Sequence, residues 1–133
     1  MTNPQQQTLI EIVREFCAAW DRIDLEAIMS MMSEDAVYNN LPLATLRGHD
    51  EIRAFIGGFF EVTKSAKFDI LNIVTDDQRV VTERVDSFVW EEGRIDELPV
   101  LGIFEFNENG KISHWREYWD LQMWLDMGGL PLN

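Results

Sequence analysis

The spacing of hydrophobic residues changes near residue 64, and this change most limits what the chain can fold into. In most of the chain before it, apolar residues recur every three or four positions. That spacing predicts amphipathic helices over Gln6–Trp20, Leu25–Met32 and Asp50–Thr63. After the change, apolar residues recur at every second position, as they do in β-strands. Helices followed by strands are typical of an α+β domain.

The second half of the chain is predicted to consist mainly of long strands joined by tight turns. Asn107–Gly110 is a strong hairpin turn, which makes the two segments on either side of it antiparallel partners. One short strand precedes the third helix, and one short helix follows the last strand. In chain order, these predicted strands and the final helix are Ala36–Asn40, Lys67–Thr75, Arg79–Trp90, Ile95–Phe106, Lys111–Asp120 and Leu121–Met127.

This order of elements predicts one α+β domain over residues 1–133. We expect a curved, mixed or antiparallel sheet that wraps around the helices and forms a cone with a deep pocket. Pockets of this kind are mostly apolar and contain a few placed polar groups.

Charge and composition exclude several classes of partner. The chain has 11 Lys and Arg against 24 Asp and Glu, a formal net charge of −13. Nucleic acids and anionic membrane surfaces attract positive fields, so we expect neither as a partner. The sequence contains no run of about 18 apolar residues that would span a bilayer. Residues 1–7 lack the features of a signal peptide, and we expect a cytoplasmic protein.

The chain offers few side chains that bind metals. Cys17 is the single cysteine and lies on the apolar face of the first helix, where an inert core thiol is expected. His49 is expected at the start of the third helix, as a capping or surface residue. His114 has no His or Cys partner at ligand spacing. There is also no glycine-rich phosphate loop. From these observations together we expect neither a metal nor a cofactor.

Two charged residues interrupt the apolar run Arg79–Trp90. Arg84 and Asp86 are two positions apart, so on a strand they share a face with Phe88. Both faces of this strand carry apolar residues, and alternation alone does not say which face is inside. The pair therefore either lines the pocket, where buried charges must be compensated, or forms an ion pair on the surface.

One guanidinium can bind two carboxylates, because its planar fork carries five donors. Asp120, at the end of the last predicted strand, is the best candidate for a second acid beside Arg84 and Asp86. Two acids with one cation between them allow one to be protonated and the other ionised. That arrangement supplies an acid and a base at neutral pH.

Tyr38 and Asn40 form another polar pair at strand spacing. Together they could hold a water molecule, Tyr38 through its hydroxyl and Asn40 through its amide oxygen. Alternatively, they are simply the end of a strand that enters the Leu41–Pro42 loop.

These residues and the segments around them resemble the limonene epoxide hydrolase family, within the nuclear-transport-factor-like, ketosteroid-isomerase-like and SnoaL-like cone folds. The resemblance covers most of the chain. Glu117 is a departure, because an aspartate is expected at that position of the last motif. The resemblance rests on Tyr38–Pro42, Thr82–Asp86, Leu101–Phe104, Trp115–Leu121 and Leu130–Leu132.

What the resemblance implies is epoxide hydrolysis by an Asp-Arg-Asp triad, without a covalent intermediate. Asp120 is implied to be the general base that takes a proton from a water held by Tyr38 and Asn40. Asp86 is implied to be the general acid that protonates the epoxide oxygen, and Arg84 to hold both aspartates. The product is a vicinal diol.

Alternation and resemblance together place an apolar pocket around Met32, Phe68, Phe88, Leu101 and Ile103. Such a pocket suits a small hydrophobic epoxide and excludes bulk water. The resemblance also implies a homodimer.

Two other functions remain open. One is a ketosteroid-isomerase-like or polyketide-cyclase-like enzyme with a tyrosine and a protonated acid as its oxyanion hole. Arg84 beside Asp86 opposes it, since a cation favours the ionised acid. The other is a non-catalytic domain for small-ligand binding and dimerisation.

Overall fold

The structure is a computed structural model that describes residues 2–132. Within that range the chain forms four helices and six strands, and the α+β prediction is confirmed. The elements are α1 (Pro4–Asp21), α2 (Leu25–Ser30), β1 (Met32–Leu41), β2 (Leu46–Arg47), α3 (Gly48–Val62), β3 (Ser65–Thr75), β4 (Arg79–Trp90), β5 (Gly93–Phe106), β6 (Ile112–Tyr118) and α4 (Leu121–Met127).

The six strands form one mixed sheet in the order β2-β1-β6-β5-β4-β3. Strands β3 to β6 are a meander of antiparallel neighbours, whereas β1 pairs in parallel with β6. Irregular registers occur in β3 between Ile70 and Asn72 and in the β4–β5 pair between Asp86 and Phe88. Such irregularities increase the local twist and bend a sheet. The predicted curved mixed sheet is thus confirmed.

Helix α1 lies on the inner face of the sheet. Asn3 caps its start, since the Asn3 side chain accepts a hydrogen bond from the Gln6 backbone N–H and the Gln6 side chain accepts one from the Asn3 N–H. The buried Phe16 meets Phe104 of β5 and Trp115 of β6 edge-on, with centroids 5.6 and 4.9 Å apart. No helix within residues 2–132 is long and apolar enough to cross a membrane.

The end of β6 differs from the prediction in a way that matters for function. The predicted strand continues to Asp120, but β6 ends at Tyr118. Asp120 is instead the N-cap of α4, and its Oδ1 accepts a hydrogen bond from the Met123 backbone N–H at 2.9 Å. Because an N-cap residue precedes the helix in extended geometry, the chain has left the sheet before it reaches Asp120.

Candidate active site

The inward face of β4 carries the Arg84–Asp86 pair. Thr82, Arg84, Asp86 and Phe88 are all buried, and Arg84 is only 1% exposed. Alternation leaves two possibilities open, and the structure decides between them. The pair lies on the buried inner face of the sheet rather than on the protein surface.

All five N–H donors of Arg84 are engaged. Nε and Nη2 donate to Asp86 Oδ1 and Oδ2 at 3.0 and 2.8 Å. Nη1 and Nη2 donate to Glu117 Oε2 and Oε1 at 3.0 and 2.6 Å, and Nη1 also donates to Thr82 Oγ1 at 3.0 Å. Each carboxylate is therefore bound by two parallel hydrogen bonds, the strongest geometry for this pair of groups. The guanidinium also lies 4.4 Å from the centroid of the Phe68 ring.

The second carboxylate is Glu117, and the expectation that Arg84 bridges Asp86 and Asp120 is wrong. Asp120 is exposed and caps α4. The alternation of β6 separates Glu117 from Asp120, although it does not say which face of the strand is inside. Trp115 and Glu117 are two residues apart and both point inward, whereas Asp120 is three residues further on and has the opposite parity.

Strand β5 lies between Arg84 and Glu117, and Gly102 is where the ion pair crosses it. Gly102 is the register partner of Thr82 on one side and of Glu117 on the other. A Cβ at this position would overlap the Glu117 carboxylate and would lie 2.5 Å from Arg84 Nη1. Gly102 belongs to the Leu101–Phe104 motif, and the lack of space for a Cβ is the physical reason for a glycine at this position.

Burial and the shared cation act in opposite directions on the two acids. Burial raises the pKa of Asp86 and that of Glu117, and Arg84 partly offsets both shifts. Burial also opposes the charge of Arg84, but the two carboxylates outweigh it and hold the Arg84 pKa well above its usual range. Two carboxylates and one guanidinium carry a net charge of −1. A single shared proton neutralises that charge, which favours one protonated and one ionised acid.

Tyr38 and Asn40 lie next to the acid pair because β1 is the parallel neighbour of β6. Tyr38 is in register with Trp115 and Asn40 with Glu117. The Tyr38 ring stacks on Trp115 with centroids 4.0 Å apart. Burial and the negative charge of Glu117 raise the pKa of Tyr38 well above its usual range, so its hydroxyl remains protonated. The structure thus brings both polar residues to the same region as the carboxylates.

A cavity opens beside this cluster. Its volume is about 60 Å³, and one water needs roughly 10–15 Å³, so there is room for a few waters. Its walls are mostly aromatic and aliphatic, with two carboxylates and one amide among them. The lining residues are Trp20, Asn40, Phe55, Phe59, Asp86, Phe88, Leu98, Val100, Glu117, Trp119, Trp124 and Leu132.

The structure corrects most of the predicted pocket lining. Phe88 lines the cavity, but Leu101 and Ile103 lie on the outer side of the sheet, and Leu101 is 43% exposed. The inward positions of β5 are Leu98, Val100, Gly102 and Phe104. The predicted lining residues of this strand are therefore one position away from the residues that face inward. A shift of one residue moves every side chain to the other face of a strand.

Two further predicted lining residues serve the core instead. Phe68 is buried beneath Arg84 and stacks on Trp20, with centroids 4.7 Å apart. Met32 is 2% exposed and belongs to the main hydrophobic cluster, and its backbone oxygen lies 2.9 Å from His49 Nε2. The prediction missed the walls contributed by α3, α4 and the C-terminal segment, because periodicity does not say which helix faces which strand.

Cys17 also lies near the cluster. Burial is the main reason that its pKa rises to about 12, and Glu117 and Asp86 raise it further. The thiol is therefore protonated and unreactive at neutral pH. Among residues 2–132, no group of three or more His, Cys, Asp and Glu side chains is placed to hold a metal ion.

Comparison with known proteins identifies relatives of this chain in sequence and in fold. The limonene-1,2-epoxide hydrolase catalytic domain matches residues 7–127. Epoxide hydrolase EphG of Mycobacterium tuberculosis is 28% identical over 114 residues, which cover 82% of this chain and 71% of that protein. The structure of an LEH-like epoxide hydrolase of M. tuberculosis has a TM-score of 0.82 and 26% identity, and the match covers 93% of this chain and 92% of that one.

The same fold also occurs in proteins described differently. A protein described as a putative polyketide cyclase, from Xanthomonas campestris pv. campestris, has a TM-score of 0.80 and 20% identity. The match covers 92% of this chain and 98% of that one. At this level of identity the likeness shows the fold alone, since one fold hosts many activities.

Proposed function

Because this chain belongs to the limonene-1,2-epoxide hydrolase catalytic domain family, we propose that it adds water to a small hydrophobic epoxide and forms a vicinal diol. The observation that carries the proposal is a single buried guanidinium that holds two carboxylates at the wall of an apolar cavity. The reaction needs a proton acceptor for water and a proton donor for the epoxide oxygen, and the pair Glu117 and Asp86 offers both.

Glu117 is the proposed general base. It lies in register with Asn40, and both line the cavity, so a water bound to Asn40 is next to the Glu117 carboxylate. Tyr38 is two residues from Asn40 on the same inner face and completes the proposed water site. This assignment replaces Asp120, which lies outside the Arg84 cluster.

Asp86 is the proposed general acid. It binds the opposite side of the Arg84 fork from Glu117 and also lines the cavity. Burial raises its pKa and that of Glu117 alike, which favours one retained proton in the pair. Asp86 is assigned that proton because Glu117 is the acid in register with Asn40 at the proposed water site. With one proton on Asp86 and a negative charge on Glu117, the cluster is neutral before the reaction begins.

The proposed step is concerted. Glu117 removes a proton from water while the water oxygen forms a bond to one epoxide carbon. The bond between that carbon and the epoxide oxygen breaks, and the oxygen receives the proton of Asp86. Neither free hydroxide nor free alkoxide is formed, and each positioned proton transfer contributes about 10²–10⁴-fold to the rate. Transfer of the proton from Glu117 back to Asp86, through solvent in the open cavity, restores the starting state.

Matched substitutions test the two roles. Diol formation is measured with the purified protein and a panel of cyclic and aryl epoxides. We expect Asp86→Asn and Glu117→Gln each to lower kcat by about 10²–10⁴-fold, because each removes one proton transfer. Asp120→Asn is the matched control, since asparagine also caps a helix, and it keeps near-wild-type activity. Near-wild-type rates in either of the first two variants would refute the assigned roles.

Isotope labelling tests the absence of a covalent intermediate. A single turnover is run with excess enzyme in ¹⁸O-labelled water. Direct attack by water places the label in the diol during that first turnover. An ester of Asp86 or Glu117 would instead deliver an unlabelled carboxylate oxygen to the diol, and that result would contradict the proposed mechanism.

The outer face of the sheet supports a second part of the proposal, that the protein forms a homodimer. Leu71, Val74, Leu101 and Tyr118 are large side chains that are exposed on strands of this face. Clusters of exposed apolar residues are typical of protein–protein contacts. Sedimentation velocity should give the mass of a dimer, and Leu71→Asp together with Leu101→Asp should give a monomer. A wild-type monomer at micromolar concentration would contradict the proposal.

A further inference from the structure

A hydrogen bond between Trp119 and Asn40 orients the amide that the proposed reaction uses. The Trp119 indole Nε1 lies 2.7 Å from Asn40 Oδ1. An indole N–H can only donate, so the amide atom that faces it must be the oxygen. The NH₂ group of Asn40 therefore points away from Trp119, and both residues line the cavity.

We propose that Trp119 is a positioning residue, which holds Asn40 so that its Nδ2 donates to the attacking water. This replaces the expectation from the sequence that Asn40 holds the water through its amide oxygen, because that oxygen accepts from Trp119. This inference rests on the proposed function. A water molecule has two protons and two lone pairs. In this arrangement one water proton is directed to Glu117, the other is accepted by the hydroxyl oxygen of Tyr38, and one lone pair of the water accepts from Asn40 Nδ2. The second lone pair is left to attack the epoxide carbon. The orientation of Asn40 thus sets the direction from which the water attacks.

The reverse orientation of the amide would act against the reaction. With its oxygen toward the water, Asn40 would accept one of the water protons and compete with Glu117 for them. The lone pairs of the water would then lack a fixed direction, and correct orientation is a large part of catalysis. Trp119 prevents this reversal, because an amide NH₂ group facing the indole would place two donors against each other.

The position of Trp119 is itself well defined. It lies between the end of β6 at Tyr118 and the N-cap residue Asp120, whose side chain holds the first turn of α4. Its ring packs against Trp124 with centroids 5.7 Å apart. The indole donor therefore comes from a junction that two secondary-structure elements hold in place.

Removal of the indole N–H should affect kcat more than KM. The loss of one hydrogen bond leaves the amide free to rotate, and we expect kcat to fall about three- to tenfold. We expect KM to stay within twofold, because the aromatic wall remains. Trp119→Phe is the simplest variant. Replacement of Trp119 by 3-benzothienylalanine keeps the size and shape of the indole and removes only the donor.

A double-mutant cycle separates positioning from packing. Single-turnover rates are measured for the wild type, Trp119→Phe, Asn40→Ala and the double variant. If Trp119 acts through Asn40, the double variant is no slower than Asn40→Ala. Losses that multiply, or a 3-benzothienylalanine variant with wild-type kcat, would overturn the inference. NMR of the Asn40 NH₂ protons is a second measurement, because an unchanged pair of signals in Trp119→Phe would also overturn it.

Failure of the proposed function gives a different result. In that case the wild type forms no diol from any epoxide of the panel. An active wild type whose rate does not depend on the Trp119 donor contradicts this inference alone.

Discussion

The guanidinium of Arg84 lies above Gly102 of β5 and donates across it to the Glu117 carboxylate. Gly102 occupies the central position between β4 and β6, and any side chain there would meet the guanidinium and the carboxylate. The ion pair that carries the proposed chemistry therefore depends on the absence of a single methyl group.

Gly102→Ala should lower both stability and activity, because the new Cβ overlaps Glu117 and Arg84 Nη1. A buried pair that is forced apart loses hydrogen bonds to charged groups, each of which contributes about 1.5–3 kcal/mol. Urea unfolding and kcat measure the two effects. Gly58→Ala is the matched control, since the space around Gly58 in α3 is open and alanine favours a helix. Equal stability of the two variants would contradict the prediction.

Arg84→Met should destabilise the protein by about 3–5 kcal/mol at pH 7, because it leaves two buried carboxylates without their cation. Part of this loss should be recovered near pH 5, as the carboxylates become protonated. Urea unfolding at both pH values provides the measurement. Arg79→Met removes an exposed ion pair with Asp76 and should change stability little. A similar effect of the two substitutions would be evidence against a buried cluster.

The acid pair should make stability fall as the pH rises above about 4. Burial raises the pKa of Asp86 and Glu117 in the folded state above the usual values of about 3.9 and 4.3. Between the unfolded and the folded pKa values, the folded protein binds more protons than the unfolded chain. The free energy of unfolding therefore decreases with pH in that window. Urea midpoints of the wild type and of Asp86→Asn with Glu117→Gln, measured from pH 4 to 8, should show a weaker decrease in the variant.

Asp120→Ala should act on stability rather than chemistry. The Asp120 side chain caps α4, and loss of an N-cap costs about 1 kcal/mol. For a domain of this size that corresponds to a Tm lower by about 4 °C. Calorimetry measures this shift, and Asp120→Asn should show almost none of it. A loss of kcat in Asp120→Asn comparable with that of Glu117→Gln would return the base role to Asp120.

Two leucines of β5 provide a test of which face lines the cavity. Leu98 is 2% exposed and lines it, so Leu98→Ala should raise KM and cost about 2–4 kcal/mol of stability. Leu101 is on the outer side, and Leu101→Ala should leave KM unchanged at much smaller cost. Epoxide kinetics and urea unfolding compare the pair. A larger KM effect from Leu101→Ala would mean that the cavity is on the other face.

The sequence by itself determined the class of fold and the partnership of Arg84 with Asp86. Hydrophobic spacing is a local property, so the change of period distinguishes helices from strands without knowledge of their packing. The alternation of β4 likewise brings Arg84 and Asp86 to one face, because their separation of two residues is the strand period.

Only the tertiary structure decided which face of each strand is inside and which acid completes the cluster. Leu98 and Val100 lie on one face of β5, and Leu101 and Ile103 lie on the other. Both pairs are apolar, so only the position of the helices shows which face is the inner one. The contact of Glu117 with Arg84 spans 33 residues of sequence, and it depends on the β4–β5–β6 register and on the space above Gly102. Contacts between strands are set by pairing across the whole sheet, so no local pattern in the chain encodes them.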